Sequence, residues 1–347
     1  MMMPLRSHTA DRARAGRAAV LAGAGCWLPP GVVTNADLAA RLDTSDEWIR
    51  SRTGIASRHI AGPGTATSDL AVEAGRRALK SSGDSQVDAV VLATTTPDRL
   101  CPATAPEIAS RLGLSGCAAF DVAAVCTGFL YGLATAAGLI AAGTADRVLL
   151  IGADTYSTII DPEDRTTSVI FADGAGAVVL RAGTPDEQGA IGPVVLGSDG
   201  EHAELIQIPA GGARQRSSGL PPEPGDEFFH MRGRETYRCA VEWLVASSRA
   251  AVEAAGWRIG DVDRVVAHQA NARILDAVAE RLGLPCERHL SNIERVGNTG
   301  AASIPVLLAE ASQAGELRPG QRVLLTAFGG GLTWGAATLV WPELDPS

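Results

Sequence analysis

Short apolar runs alternate with helical segments along both parts of the chain. The runs are Val87–Thr94, Ala119–Val122 and Arg147–Ile151 in the first part, and Val262–Ala267 and Arg322–Ala327 in the second. Each run is continuous rather than alternating with polar residues, which is typical of strands buried on both faces. Helical segments between such strands predict βαβ units, and therefore an α/β fold.

The two parts also repeat each other at nearly constant spacing. The matching segments are Val87–Val91 with Val262–Val266, Arg111–Leu114 with Arg281–Leu284, and Arg147–Leu150 with Arg322–Leu325. The first and third pairs are offset by 262 − 87 = 322 − 147 = 175 residues, and the second by 281 − 111 = 170. Three matches in the same order indicate an internal duplication. We therefore expect two layered α/β halves with helices buried between two sheets.

The duplication suggests how the chain is divided. We predict a disordered tail over residues 1–16, a first half over 17–185 and a second half over 186–347. Helical segments at Leu70–Ser82 and Val245–Gly256 precede the first matching strand of each half. Residues 197–233 are rich in Gly, Pro, Ser and Glu and have no periodicity, so we expect a loop excursion near a ligand site.

Charge and cysteine content argue against several classes of protein. The formal net charge of −9 disfavours non-specific binding to nucleic acid or to an anionic membrane surface. The six cysteines are spread out, without a CxxC pair or zinc-ligand spacing, as in a cytoplasmic protein with reduced thiols and no metal site. The longest apolar stretch, Gly128–Gly143, falls short of the roughly 18 to 20 residues of a membrane span, so we expect no membrane association.

Cys126 is the first candidate for chemistry. A predicted strand ends near Val122, and a long apolar helix begins at about Cys126 and runs to Gly143. A cysteine at a helix N-terminus faces unpaired backbone N–H groups and the positive end of the helix dipole, which both favour the thiolate. Taken alone, a buried structural cysteine remains the commoner explanation.

Two further candidates come from the second half. His268 directly follows a strand, where α/β folds place their sites, although a hydrogen-bonded core histidine is equally compatible with that position. Asn298 lies in a Gly-Asn-Thr-Gly segment that has ordinary turn chemistry. Asn298 follows Cys126 by 298 − 126 = 172 residues, within the spacing of the repeat. We therefore expect both residues to open equivalent central helices and to meet in one site.

The fourth candidate is the glycine-rich segment Ala327–Leu332, which also follows a strand. Successive glycines allow backbone N–H groups to approach a ligand closely, as an oxyanion hole requires. A simple glycine turn explains the same residues when the segment is considered alone.

Together these motifs resemble the beta-ketoacyl-[acyl-carrier-protein] synthase III family of the thiolase superfamily. The resemblance covers residues 18–342, and the matching stretches are Asp46–Ile49, Arg52–Ile55, the Cys126 motif, Gly174–Val178, His268–Asn271, Gly297–Gly300 and Phe328–Gly335. It implies a duplicated thiolase-like fold, a homodimer, and an acyltransferase with no tightly bound cofactor and no metal. We expect a specialised member of the family, one that loads starter units for polyketide or fatty-acid synthesis.

The resemblance also implies roles for individual residues. Cys126 would take an acyl group from acyl-CoA, while the N–H groups of Cys126 and Gly330 hold the oxyanion. A malonyl thioester, usually on acyl carrier protein, would then lose CO₂. His268 and Asn298 would donate hydrogen bonds to the resulting enolate, which attacks the acyl-Cys126 thioester. Asn suits this role because it is a neutral donor.

The CoA-binding and acyl-binding positions of the family can be matched as well. By resemblance, Trp48 and Arg165 hold the adenine ring, Arg52 contacts the nucleotide, and Gly233 lies along the CoA path. Residues 44–47 fit a capping box, which would place Trp48 and Arg52 on one helix face. For the acyl pocket the resemblance gives Cys101, contributed across the dimer, and Phe328.

Several positions depart from the family pattern. Arg238 and Arg273 match basic positions that dock carrier protein, but Glu280 stands where well-known members have Lys, which weakens the electrostatic case for docking. Cys101 replaces a bulky Phe and would leave room for a longer or branched acyl group. Arg234 replaces a small polar residue near the CoA path. Ala172 replaces a common Gly, without an expected consequence.

Alternative functions follow from these departures. The chain would be a non-condensing acyltransferase if the acyl group passed intact to a small-molecule acceptor. A silent ketosynthase partner subunit is disfavoured because such subunits typically lack the nucleophile. A degradative thiolase needs a second reactive Cys near the C-terminus, but the last one is Cys286, and Leu21–Gly25 lacks the full glycine pattern of a nicotinamide-binding turn. Chalcone-synthase-like and hydroxymethylglutaryl-CoA synthase-like enzymes fit the local motifs less well.

Overall fold

The computed structural model describes residues 16–345. The predicted tail, residues 1–16, lies outside this range except for Gly16. The described residues form two central sheets, two short two-stranded ribbons and ten α-helices. None of the described helices has the length and apolarity that crossing a membrane requires.

The strands, in chain order, are β1 (Ala18–Trp27), β2 (Gly31–Thr34), β3 (Ser57–Ile60), β4 (Ala89–Ala93), β5 (Ala118–Val122), β6 (Arg147–Thr155), β7 (Asp173–Gly183), β8 (Ile191–Ser198), β9 (Ile206–Gln207), β10 (His230–Met231), β11 (Arg264–Ala267), β12 (Arg322–Gly329) and β13 (Thr333–Val340). The apolar runs that predicted strands are found in β4, β5, β6, β11 and β12. Both β6 and β12 extend beyond their predicted C-terminal ends.

The helices are α1 (Asn35–Ala39), α2 (Asp46–Thr53), α3 (Thr67–Ser81), α4 (Ala105–Arg111), α5 (Gly128–Ala141), α6 (Ala213–Ser217), α7 (Gly233–Ala254), α8 (Ala272–Leu282), α9 (Ile293–Val296) and α10 (Ser303–Gln313). Short 3₁₀ turns lie at Val125–Thr127, Tyr156–Thr158, Gly200–Leu205, Ile259–Asp261, Cys286–Arg288 and Gly300–Ala302. Helix α7 is longer than the predicted segment 245–256, because its periodicity continues N-terminally to Gly233.

The two central sheets have the same strand order, which confirms the duplicated thiolase-like fold. The five-stranded sheet runs β1-β7-β6-β4-β5, and the four-stranded sheet runs β8-β13-β12-β11. Strands β4 and β6 are parallel, as are β11 and β12, and the equivalent pairings β6–β7 and β12–β13 are antiparallel. Strand β5 adds a further parallel pairing to β4. A single parallel bridge from Val265 to His289 stands where the second sheet would hold its fifth strand.

Helices α5 and α10 lie buried between the two sheets. One continuous hydrophobic core joins Leu130 and Leu133 of α5, Leu307 of α10, and residues of both sheets. Close packing depends on glycines: a Cβ at Gly176 on β7 would lie 2.5 Å from the backbone N of Val306 on α10. The helix of the second half therefore rests directly on the sheet of the first half.

The first sheet ends with β7 at Gly183, and the second begins with β8 at Ile191. The proposed division between residues 185 and 186 falls in the connection between these strands, and as a statement about domains it stays a prediction. The excursion predicted for residues 197–233 contains a 3₁₀ turn, the β9–β10 ribbon and the short helix α6. It is thus more regular than its composition suggests, because the ribbon pairs Ile206 with Met231.

Candidate active site

A cavity of about 620 Å³ lies between the two halves. Its lining includes the three candidate catalytic residues, Cys126, His268 and Asn298, all of which are buried. Exposed residues, Arg52 and Arg273 among them, also line it and mark its open end. The cavity is therefore a tunnel-like site with buried reactive groups and a positively charged opening.

Cys126 lies in the 3₁₀ turn that joins β5 to α5. The preceding residue, Val125, has a φ of +47°, which is a rare conformation for a β-branched residue and turns the chain sharply into the helix. Glycine is required opposite, because a Cβ at Gly329 would lie 2.9 Å from the backbone N of Cys126. The hydroxyl groups of Thr127 and Thr333, 2.5 Å apart, join the same turn to the second sheet.

The resting thiol of Cys126 is held in its neutral form. Its pKa is raised to about 12, chiefly by burial and also by repulsion from the buried Asp154 carboxylate, while the hydrogen-bond contact with Tyr156 opposes both. Sequence reasoning expected the helix start to favour the thiolate. That expectation considered only the helix, whereas loss of solvent and a neighbouring carboxylate are larger contributions at this position.

Asp154 and Tyr156 were not found from the sequence, and both lie beside Cys126. Asp154 accepts hydrogen bonds from the backbone N–H of Thr95 (2.6 Å) and from that of Ala301 (2.8 Å), so that one carboxylate joins the two halves. Burial raises its pKa to about 7. A possible signal was its place at the end of the apolar run in β6, where a buried acid is unusual.

Tyr156 begins the 3₁₀ turn that follows β6, and it is fully buried. Its hydroxyl lies 3.9 Å from the Sγ of Cys126. Its ring stacks on Phe171, with centroids 4.6 Å apart, and meets the edge of Phe229 at 5.6 Å. Phe171 and Phe229 line the cavity, whereas Tyr156 packs against them without lining it.

His268 follows β11 directly, as predicted, and it lies inside the cavity. Its backbone N–H donates to the carbonyl of Thr326 (2.8 Å), which fixes the residue at the end of the second sheet. Burial lowers the pKa of its imidazole to about 4, so the ring is neutral near pH 7. Its Nδ1 is buried without a hydrogen-bond partner among the described residues.

Asn298 precedes the 3₁₀ turn at the start of α10, the position equivalent to that of Cys126. Its backbone N–H donates to the carbonyl of Ile170 (3.0 Å), and its carbonyl accepts from Ala172 (2.8 Å), a strand-like bridge to the first half. Its Oδ1 accepts from the N–H of Gly300 (3.0 Å). The Nδ2 group is consequently the end of the side chain that is free to donate into the cavity.

The glycine-rich segment lies at the end of β12, next to Cys126. Gly329 lines the cavity, and Gly330 approaches Ile206 so closely that a Cβ there would be 2.9 Å from its Cγ2. The neighbouring Phe328 also lines the cavity, and its role in an acyl pocket stays a prediction.

The predicted nucleotide contacts cluster around Trp48 on α2, with Arg52 from the same helix and Arg165 from a distant loop. The Cζ of Arg52 lies 5.9 Å from the ring centroid of Trp48, and that of Arg165 lies 5.4 Å from it. Trp48 and Arg52 therefore share one helix face, as predicted. The cap differs from the prediction: Ser45, not Thr44, is the N-cap and accepts from the N–H of Trp48 (3.1 Å), so the capping box over residues 44–47 is wrong.

The remaining predicted site residues lie farther out. Gly233, Arg234 and Arg273 line the exposed part of the cavity, whereas Arg238 is exposed on α7 outside it. Glu280 is exposed on α8, two turns after Arg273. Cys101 is exposed and does not line this chain's cavity. Within residues 16–345, no group of His, Cys, Asp and Glu side chains is arranged to hold a metal ion.

Family comparisons agree with this geometry. Residues 120–200 match the family of 3-oxoacyl-[acyl-carrier-protein (ACP)] synthase III, and residues 252–341 match its C-terminal region. Beta-ketoacyl-[acyl-carrier-protein] synthase III 3 of Streptomyces coelicolor is 58% identical over 332 residues, or 95% of this chain and 99% of the relative. The enzyme called beta-ketoacyl-[acyl-carrier-protein] synthase III in Pseudomonas aeruginosa is 52% identical over 331 residues, with 95% and 99% covered.

Solved structures give the same result. A 3-oxoacyl-(acyl carrier protein) synthase III from Pseudomonas aeruginosa PAO1 superimposes with a TM-score of 0.89 at 50% identity, covering 95% of this chain and all (100%) of that one. The priming beta-ketosynthase from the R1128 polyketide biosynthetic pathway gives 0.88 at 33% identity, covering 98% and 100%. The chain therefore belongs to the beta-ketoacyl-[acyl-carrier-protein] synthase III family of acyl-transferring condensing enzymes.

Proposed function

We propose that the chain loads a starter acyl group from acyl-CoA onto Cys126 and condenses it with a malonyl thioester carried by acyl carrier protein. The observation that carries this proposal is the meeting of Cys126, His268 and Asn298 in one cavity whose open end is basic. The relatives named as beta-ketoacyl synthases and the priming ketosynthase support the reaction class.

In the first half-reaction, the Sγ of Cys126 attacks the carbonyl carbon of the acyl thioester. A new C–S bond forms, the bond to CoA sulfur breaks, and CoA leaves as the thiol with the proton that Cys126 gives up. The oxyanion formed on the way is held by the backbone N–H groups of Cys126 and Gly330. The close approach of the glycine-rich segment to the Cys126 turn supports that pairing.

In the second half-reaction, the malonyl group loses CO₂ and its electrons pass into an enolate. His268 and the Nδ2 of Asn298 donate hydrogen bonds to the enolate oxygen. Burial suits His268 to this role because a neutral imidazole donates without a positive charge that would over-stabilise the intermediate. The enolate carbon attacks acyl-Cys126, the C–S bond breaks, and the thiol is restored with one proton from solvent.

The opening of the cavity fits an anionic carrier. The guanidinium groups of Arg52 and Arg165 lie 5.9 and 5.4 Å from the Trp48 ring centroid, and such a group of residues can hold an aromatic base and nearby phosphates. Gly233 leaves space along the path toward Cys126, since a Cβ there would contact nothing within 4 Å. Arg238 and Arg273 would contact the carrier protein itself.

We also propose a homodimer in the cytoplasm. Strand β5 is the edge of the five-stranded sheet, and it is only half-buried in this chain. A second copy adding there would bring the exposed Cys101 loop toward the partner's cavity, where it would bound the acyl pocket. The six cysteines are all free thiols, as in a reducing compartment.

The test has two stages. The protein is incubated with a panel of acyl-CoAs, digested, and examined by mass spectrometry for an acylated Cys126 peptide. Malonyl-carrier protein is then added to the loaded enzyme, and the product is identified. The expected result is acylation at Cys126 followed by a beta-ketoacyl product.

The other outcomes are equally informative. Acylation followed by transfer of the intact acyl group would indicate a non-condensing acyltransferase. No acylation of Cys126 by any thioester would refute the proposal. Cys26→Ala is the matched control, because Cys26 is also buried with its pKa raised to about 12, yet does not line the cavity.

A further inference from the structure

Tyr156 contacts the nucleophile but does not line the open cavity. Its hydroxyl is 3.9 Å from the Sγ of Cys126, within the range of hydrogen bonds to sulfur, and it is the hydrogen-bond partner of that sulfur in the described part of the chain. Tyr156 itself has no exposed surface and does not line the cavity. A substrate entering by the cavity would therefore leave this contact undisturbed.

The packing around the phenol holds its hydroxyl in place. The ring is stacked on Phe171 and edge-on to Phe229. Gly300 closes the space on a further side, since a Cβ there would collide with the Tyr156 ring. A side chain fixed in this way has already lost its rotamer freedom on folding, so the contact with Cys126 carries little additional entropic cost.

The electrostatic surroundings explain why a donor is needed here. Ionisation of Cys126 places a negative charge in a buried site, on the same side as the Asp154 carboxylate. His268 lines the same cavity as Cys126 but is neutral near pH 7, so it offers the thiolate no positive charge. The arginines of the cavity, Arg52, Arg234 and Arg273, lie at its exposed end. A phenol is a neutral donor, and burial keeps it protonated by raising its pKa well above the usual value.

We propose that Tyr156 is a positioning residue for the nucleophile: its hydroxyl donates a hydrogen bond to the Sγ of Cys126 and so stabilises the thiolate. This rests on the proposed function only in taking Cys126 as the nucleophile. The residue touches neither substrate nor cofactor, so it acts through the reactivity of Cys126. No bond is made or broken at the phenol.

A competing arrangement predicts the opposite sign. Thr95 also lies beside the phenol and lowers its pKa by favouring the phenolate, although its Oγ1 makes no hydrogen bond among the described residues. If the phenol donated only to Thr95, its oxygen would instead accept the S–H proton of Cys126 and favour the thiol. Removal of the hydroxyl would then make Cys126 ionise more easily, whereas in the proposed arrangement it makes ionisation harder.

The experiment measures alkylation of Cys126 by iodoacetamide across a range of pH, in the full chain. Peptide-resolved mass spectrometry is needed because Cys101 and Cys286 are exposed and react too. For Tyr156→Phe we expect Cys126 alkylation at each pH below the midpoint to slow about tenfold, because the midpoint rises by about one unit. Tyr131→Phe is the matched control, because the hydroxyl of Tyr131 donates to the carbonyl of Gly197 (2.9 Å). In this variant the midpoint of Cys126 alkylation should not move.

A second measurement covers the case in which Tyr156→Phe fails to fold. The chain has 3 tyrosines, so it can be produced with fluorotyrosine throughout. A more acidic phenol is a better donor, and the midpoint should fall. An unchanged or lowered midpoint in Tyr156→Phe, or an unchanged or raised midpoint with fluorotyrosine, would overturn the proposal.

Alkylation needs no acyl-CoA, so the outcome is separate from that of the proposed function. If Cys126 is alkylated with the expected shift but is never acylated, the function fails and the role of Tyr156 stands. If acylation proceeds and the midpoint does not move, the proposed function stands and the role of Tyr156 fails.

Discussion

The two central helices, α5 and α10, start at equivalent places in the duplicated fold, yet the turns that lead into them carry different chemistry. The first turn offers the sulfur of Cys126, and the second offers the amide of Asn298. Both turns contain a left-handed residue, Val125 with φ +47° in one and Gly300 with φ +57° in the other. The two halves therefore share a left-handed residue in the turn before the central helix but differ in the functional group that the turn presents.

The two turns also support each other across the interface between the halves. The Cys126 turn packs on Gly329 and bonds through Thr127 to Thr333, both from the second half. The Asn298 turn is held by Ile170 and Ala172 and, through Ala301, by Asp154, all from the first half. Each half positions the reactive group of the other, which explains why neither turn could be understood from its local sequence alone.

The largest effect is expected from Cys126→Ala. The variant should lose acyl-enzyme formation and lower condensation by at least about a thousandfold, because no other residue can form the covalent intermediate. Turnover of an acyl-CoA and malonyl-carrier protein measures it. Cys26→Ala should stay near wild type; an equal loss in both variants would mean that the effect is structural.

Asn298→Ala tests whether the second turn serves only the second half-reaction. We expect condensation to fall by about a hundredfold to a thousandfold, the usual cost of removing one donor to a developing oxyanion. Acylation of Cys126 should persist, since in the proposed mechanism the amide donates to the enolate and not to the acyl-CoA carbonyl. Rapid quench and mass spectrometry would separate the steps, and a parallel loss of acylation would break the division of labour.

Opposite pH dependences are expected from buried groups of the two halves. Burial lowers the pKa of His268 from 6.5 to about 4, so the unfolded chain binds more protons in that window and stability falls as pH drops through it. The loss is on the order of 3 kcal/mol. Asp154, raised from 3.8 to about 7, binds its proton in the folded state, so stability falls as pH rises across that window.

Denaturant unfolding of His268→Gln and Asp154→Asn against pH measures both. Relative to wild type, His268→Gln should gain stability on acidification from pH 6.5 to about 4. Asp154→Asn should gain stability relative to wild type on going from pH 3.8 to about 7. Slopes of the same sign in both variants would contradict the assigned causes of the pKa shifts.

Gly300→Ala tests the packing of the Asn298 turn against the first half. A Cβ there would collide with the Tyr156 ring and the Asp154 carboxylate, so the free energy of unfolding should fall by about 2 to 3 kcal/mol. Gly315→Ala is the matched control, with φ +70° and nothing within 4 Å, and should cost only about 1 kcal/mol. Equal losses would mean that backbone strain alone decides.

The smallest effect concerns carrier docking on α8. Arg273 and Glu280 are both exposed on this helix and oppose each other in charge. Glu280→Lys should lower the KM for malonyl-carrier protein by about two- to fivefold at low salt, through faster association. Glu253→Lys on α7 adds the same charge elsewhere on the surface, and an equal change there would show that net charge, not docking, is responsible.

Most of the scaffold was predictable from the sequence because buried parallel strands leave continuous apolar runs. The repeat offset also predicted that Asn298 would occupy the position equivalent to Cys126. Other features were not predictable, because they depend on contacts distant in the chain. Val125 adopts a conformation that its residue type disfavours. Thr44 and Ser45 both fit the local pattern of an N-cap, so the sequence alone could not show that Ser45 caps α2.

The environment of the nucleophile was the least predictable part of the site. Helix polarity alone predicted an easily ionised Cys126, but β6 brings Asp154 and Tyr156 next to it from a segment about thirty residues away in sequence. Nothing local to Cys126 encodes that neighbourhood. That Asp154 and Tyr156 lie next to Cys126 can be inferred only once the sheet order is known.

The carboxylate of Asp154, bonded to Thr95 in one half and to Ala301 in the other, also limits how this protein can be recombined with its relatives. A chimera that takes residues 17–185 from one parent and 186–347 from another must keep an acid at position 154 and a backbone placement that brings the N–H of residue 301 to it. The backbone bridge between Phe171 and Asn298 sets the same geometric requirement. Crossovers in the short connection between the sheets look modular in sequence, but they separate segments whose backbones must fit each other.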